Sequence, residues 1–251
     1  MIPTSLSFAV RLNNTASELV LHSRRYEEAV HMFTISLKIV KMQLRKRRAG
    51  YYAMMIPSEY TTIHQQMPAL KRHPANDCCK ALPPAKLPKR ESNETQQGYI
   101  FCDPIMVDEN DLNSQNEGDI LRFTMILIFN LALSQQLRAV EFKTISRSAF
   151  RTTLKKSLAL YSLLYKMQME KGTGSGLSYI HTMALINNLA QIHAVNEDEE
   201  KSRRCLGYLL NYLIFYTECI GKKNQTADEM DGFRSNIMPL ILTDRALAPA
   251  A

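Results

Sequence analysis

Apolar positions recur at helical spacing over most of this chain, and the period breaks for one long stretch. Between residues 12 and 42, Ala16, Ser17, Val20 and Leu21 mark one face of a first helix. Tyr26, Ala29, Phe33 and Leu37 mark a face of a second. The period returns at 120–140, strongly apolar at its centre, and a partner helix follows a connection at 141–148. That partner runs from about 149 to 169, with Leu154, Ser157, Leu158, Tyr161, Leu164 and Tyr165 in phase. Gly172-Thr173-Gly174-Ser175-Gly176 leads into a third pair, 177–195 and 197–221, joined by an acidic turn. After a polar linker at 222–231, Phe233, Ile237, Met238, Leu240, Ile241 and Leu242 define a last helix at 232–242. It is placed to cover the apolar end of a stack. The Ala-rich end is expected to fray.

The break spans 50–118. Pro57, Pro68, Pro74, Pro83, Pro84, Pro88 and Pro104 forbid a long helix there. Residues 71–98 are polar and read as a mobile loop. Residues 99–102 and 105–107 are rich in strand formers and flank Asp103-Pro104. They predict a short extended piece or hairpin covering the helices. Residues 108–119 are acidic and without periodicity. The expected organisation is all-α: a first helix pair at 1–49, an irregular, partly disordered insertion at 50–118, and a second and third pair with the capping helix at 119–251, one array overall.

A repeated step underlies the pairs. Ile186, Leu189-Ala190 and His193 fill one helix; Ser202 and Leu206 fill the next. A small side chain lets two backbones approach, and bulky neighbours fill the groove beside it. Ala29/Phe33 and Ser157/Tyr161 repeat the small-then-bulky step, and Asn130-Leu131-Ala132 repeats Asn188-Leu189-Ala190 letter for letter. With Ala29 set against Ser202, Ser17 matches Ala190, and the pairs Asn13-Asn14 and Asn187-Asn188 fall one residue out of phase. Both registers stay open. On these residues and on Arg25-Tyr26-Glu27-Glu28-Ala29 at a helix-to-helix turn, the chain resembles the tetratricopeptide-repeat (TPR) family over about 12–41 and 120–221. It departs from the family in having no Trp and in placing Ile214 at the family's proline slot. It is also similar to uncharacterised TPR-like proteins that occur as large families in some algae. About three pairs is near the minimum for a stable stack.

The chain has 251 residues, 45% of them hydrophobic, enough for a sizeable core. The net charge of +7 permits acidic partners but is ordinary for a globular protein. Five cysteines, without disulfide or metal spacing and with Cys78-Cys79 adjacent, fit a reducing compartment. The expected location is intracellular, cytoplasmic or nuclear. No signal peptide pattern precedes the three sequons at Asn13, Asn93 and Asn224, which are read as chance. The apolar run at 123–133 is short for a bilayer and holds Asn130, so no membrane partner is expected.

Catalytic chemistry is not expected. The glycine-rich 172–176 lacks the lysine and hydroxyl of a phosphate loop, and Ser175 lacks the flanking glycines of a nucleophile elbow. None of His22, His31, His64, His73, His181 and His193 pairs at zinc spacing, and no metal or cofactor is predicted. His193 reads as a hydrogen-bonded core histidine. The resemblance implies a peptide-binding groove lined by the first helix of each pair, with Asn14, Glu18, His22, Asn187 and Gln191 facing the ligand. Asparagine suits a peptide backbone because it both donates and accepts; the plainer alternative is that Asn14 and Asn187 cap or pack helix ends. If the insertion folds back into the groove, the site is self-occupied and a partner displaces it. The expected function is a non-catalytic protein–protein interaction scaffold with an unidentified protein partner. The alternative is a nucleic-acid-associated regulator using the basic segments 38–48 and 71–90. The sequence leaves the oligomeric state open.

Overall fold

The computed structural model describes residues 5–47, 98–112, 116–171, 176–219 and 227–246. The loop expected over 71–98 and the basic segment 71–90 lie outside them, except for Gly98. The described residues contain seven α-helices and no strand, so the chain is all-α. They divide into two compact units, with one boundary between Phe101 and Cys102 and another between Leu177 and Ser178.

In the first unit, α1 (Leu6–Glu18) starts at Ser5, whose hydroxyl accepts from the Phe8 amide. α2 (Tyr26–Arg47) begins with Glu27 and Glu28 at the positive end of its dipole. α3 (Glu117–Phe142) follows an Asn116 cap, and α4 (Arg147–Lys171) follows a short turn. α1 packs on α2, α2 on α3 and α3 on α4. α3 is therefore buried almost all round, with Phe123, Leu127 and Phe129 fully enclosed. It starts and ends beyond the 120–140 expected, which makes it long and apolar enough to cross a membrane by length and composition alone. In this fold 89% of its apolar stretch is buried among protein neighbours. Arg138 of α3 reaches Glu27 of α2 at 3.0 Å.

In the second unit, α5 (Tyr179–Val195) is capped by Ser178 and packs on α6 (Glu199–Cys219). α7 (Ala227–Ala246) packs on both and starts well before the expected 232, because the polar residues at 227–231 form its first turns rather than a linker.

Two of the expected small residues bridge neighbouring helix backbones: the Ser157 hydroxyl donates to the Ala132 carbonyl at 2.7 Å and Ser202 to Ala190 at 3.0 Å. In the first pair the bond comes instead from Ser36, which the small-then-bulky step did not single out, to the Ala9 carbonyl at 2.8 Å. A side chain of one helix reaches a main-chain carbonyl of its partner only when the axes are close. Ser157→Ala should cost about 1 kcal/mol for the lost bond. Ser157→Leu should cost roughly 1–3 kcal/mol or more, by wedging the helices apart. Thermal melts that rank the two variants equally would contradict this packing.

The one-residue phase mismatch has a structural cause. α1 does not end in an ordinary turn but widens into a π turn at Leu19–Ser23, closed by Arg24 in the left-handed region (φ 51°). The Arg24 amide bonds the Leu19 carbonyl, five residues back. The matching turn in the second unit has Glu197 in the left-handed region (φ 61°) without a π turn. Ala29 and Ser202 each stand five residues after these turn residues, whereas Ala16 and Ala190 stand eight and seven before them. A π turn absorbs one extra residue. The register that aligns Ser17 with Ala190 is thereby corrected: Ala16 matches Ala190, and Asn13-Asn14 fall in phase with Asn187-Asn188.

Candidate functional site: asparagine clamps on an extended segment

An extended residue presents its N–H and C=O to the same side, and alternate residues repeat that presentation. A side-chain amide carries one donor and one acceptor group at a separation that can meet both. The two units use this match in the same way, each on its own part of residues 98–107.

In the second unit, the Phe101 amide donates to Asn188 Oδ1 and Asn188 Nδ2 donates to the Phe101 carbonyl, both at 3.0 Å. Two residues earlier, the Tyr99 amide donates to Asn236 Oδ1 at 2.8 Å and Asn236 Nδ2 donates to the Tyr99 carbonyl at 2.7 Å. Asn187 locks the two grips together. Its Nδ2 donates to the Tyr99 carbonyl at 3.0 Å and to Asn188 Oδ1 at 3.1 Å, while its Oδ1 accepts from Asn236 at 2.6 Å.

The first unit repeats this arrangement bond for bond. Asn14 grips both polar groups of Val107, at 2.8 and 3.0 Å, and Asn130 grips both of Ile105, at 2.7 and 2.8 Å. Asn13 occupies the locking position, donating to the Ile105 carbonyl and to Asn14, and accepting from Asn130. Asn13, Asn14 and Asn130 thus correspond to Asn187, Asn188 and Asn236. Each set takes an adjacent pair from one helix (α1 or α5) and a single asparagine from a later one (α3 or α7). Beyond Val107 the chain is latched to α1, where Ser7 donates to Glu109 at 2.5 Å and Arg11 lies 3.9 Å from the same carboxylate.

The side chains of the segment are held unequally. In the second unit Phe101 is buried, stacked on Phe233 at 6.0 Å and edge-on to His181 at 6.3 Å. Tyr99 meets the Phe233 ring edge-on at 5.7 Å. Its ring lies over Gly232, where an added Cβ would come within 2.5 Å. A Cβ on Gly98 would fall on the Gln191 amide and within 2.8 Å of Asn236 Oδ1. In the first unit Ile105 and Val107 are half-buried and Met106 between them is exposed.

Of the five predicted site residues, the structure places three on the segment. Asn14 and Asn187 bond its backbone, and Gln191 lies against Gly98. Asn187 is fully buried rather than groove-exposed. Glu18 and His22 are exposed and take no part in these hydrogen bonds. Sequence reasoning missed Asn13, Asn130, Asn188 and Asn236 as site residues. The repeated Asn-Leu-Ala triplet and the two Asn-Asn pairs carried a signal for three of them. Asn236 had none beyond a polar residue beside Phe233 and Ile237. The 99–107 stretch takes the extended alternative, not the hairpin.

Among the described residues, no three His, Cys, Asp or Glu side chains group as a metal site. His193 is buried, with Nδ1 3.9 Å from Asp198; that carboxylate is held below its ordinary range, chiefly by the hydrogen bond from Lys201. Burial pushes the Cys205 thiol up to about 12, which leaves it protonated and inert at neutral pH. Asp103, in the part of the segment held by the first unit, has a buried oxygen without a hydrogen-bond partner, and desolvation raises its pKa. The folded state therefore binds this proton more tightly than the unfolded one, and stability falls as pH climbs through the raised value. Asp103→Asn should stabilise the protein at pH 7 and change little below the ordinary carboxylate range. Urea midpoints of parent and variant at pH 7 and pH 3 test this; a variant less stable at pH 7 would contradict it.

No family model, curated protein or solved structure matches this chain.

Proposed function

We propose that the chain is a non-catalytic, TPR-like protein-interaction scaffold whose asparagine clamps hold an extended peptide by its backbone. The observation that carries this reading is the pair of equivalent asparagine triads, each gripping both polar groups of two alternate residues. A segment that only covered a hydrophobic face would need apolar contact, not four two-point grips. Residues 98–107 occupy the clamps in the resting chain, and a partner's extended segment takes their place. Backbone grips are indifferent to sequence, so affinity comes from the triads and selectivity from the neighbouring side chains.

A displayed peptide library tests the reading. It is panned on the full chain carrying Phe101→Ala and Ile105→Ala, which loosen the internal segment without touching an asparagine. Peptides enriched by this chain and lost when Asn14→Ala and Asn188→Ala are added would support the scaffold. Enrichment of the same peptides with and without those asparagines, or of none, would overturn it.

A further inference from the structure

We propose that the second unit's clamp is a receptor for extended peptides reading glycine, aromatic, any residue, aromatic, and that residues 98–101 are an internal copy of that ligand. The inference rests on the scaffold reading and adds the chemistry that selects the partner. The three asparagines are blind to side chains, so selection must come from what stands beside each gripped residue.

Three features set the pattern. At the first position a side chain is disfavoured: a Cβ on Gly98 would have to push the Gln191 amide aside and would press within 2.8 Å of Oδ1 of Asn236, the clamping residue itself. At the second, α7 offers Gly232 as a floor, and the Tyr99 ring covers it so closely that any Cβ on residue 232 would strike the ring. A glycine inside a helix is costly unless something needs the space. Here a flat ring needs it, and the Phe233 ring beside it gives an edge contact. At the fourth position Phe101 lies stacked on Phe233 and edge-on to His181, a slot shaped for a second ring. The third residue, Ile100, is only half-buried and its backbone is not gripped, so that position is permissive. The first unit has no such slot on its segment: Ile105 and Val107 are aliphatic and half-buried, so selection for rings belongs to the second unit alone.

In the intact chain the tethered copy competes at an effective concentration of millimolar order. The test therefore uses full-length protein with Tyr99→Ala and Phe101→Ala, which frees the clamp. The probe is a fluorescein-labelled, end-capped hexapeptide with the sequence of residues 97–102 and serine in place of the cysteine, titrated to millimolar concentration and read by anisotropy. Saturable binding is expected. A peptide with both rings replaced by alanine should bind about a hundredfold more weakly, given what ring burial contributes. One with valine for the glycine should bind at least roughly tenfold more weakly, because the added side chain overpacks the site. Adding Asn188→Ala to the protein should abolish binding.

Equal binding of the ring-less peptide would overturn this selectivity while leaving the scaffold reading standing. Failure of every peptide to bind a helical, folded variant would overturn both. If the doubly substituted chain loses its helical circular dichroism, Gly98→Val frees the clamp by steric clash and the titration is repeated on it. If that chain also unfolds, the segment is an obligatory part of the core, and the proposal is overturned.

Discussion

Asn188→Ala is expected to lower the unfolding free energy by about 2–4 kcal/mol, a large loss for removing one uncharged polar side chain. The side chain is fully buried and bonds the Phe101 amide, the Phe101 carbonyl and the Asn187 amide. Truncation leaves the Phe101 N–H, the Phe101 carbonyl and one Asn187 proton without it. Each buried polar group stranded in this way costs about 1–3 kcal/mol, and partial entry of water keeps the total below the sum. Asn130→Ala should behave alike in the first unit, since it strips both grips from Ile105 and the lock to Asn13. The control is Asn196→Ala, an exposed position, with an expected change within about 0.5 kcal/mol. Urea unfolding followed by circular dichroism measures all three. Backbone amide exchange at Phe101 and Ile105 reports the same bonds locally and should accelerate in the matching variant only. A loss below about 0.5 kcal/mol for both clamp variants would mean that the grips add nothing to stability.

Phe129→Ala should cost still more, about 3–5 kcal/mol, the usual range for emptying a fully enclosed aromatic site. Phe129 has no exposed surface and meets Tyr161 of α4 edge-on at 6.0 Å. It sits on the most buried helix of the first unit, next to the clamping Asn130. The cavity cannot close without shifting α3 against α4, and that shift would move the Asn130 amide away from Ile105. Thermal unfolding should show a drop of many degrees, together with faster amide exchange at Ile105. Phe129→Leu, which refills most of the volume, should recover most of both. An alanine variant as stable as the parent would mean that α3 is not the packed centre of its unit.

The helix pairs were legible in the sequence because apolar side chains at a 3.6-residue period have one stable resolution, burial on a shared face. The small residues at Ser157 and Ser202 announced where backbones approach, and the hydroxyl-to-carbonyl bonds to Ala132 and Ala190 are the outcome. The acidic starts of α2 and α6 follow a local rule, carboxylates at the positive end of a helix dipole, that no distant contact has to supply. The stretch 227–231 was misread as linker because a helix's first turns are often polar and solvated; the structure continues α7 through it, with Met230 buried. The apolar run of α3 was read as short for a bilayer, but the helix extends well beyond it on both sides, because a helix enclosed by protein neighbours can be apolar all round.

The site was legible only in part. An asparagine on an apolar helix reads the same whether it caps, packs or grips, and the difference is set by a segment up to 137 positions away in sequence. The phase of the Asn-Asn pairs could not be set either, because a π turn leaves no mark in residue type. The sequence by itself determined an all-α chain of close-packed helix pairs interrupted by a proline-rich insertion, since those features rest on local propensity and short-range periodicity. Only the tertiary structure decided that six asparagines form two equivalent triads and that residues 98–107 fill them. That outcome depends on which unsatisfied backbone groups meet which side-chain amides, and such long-range pairing is not encoded by any local pattern.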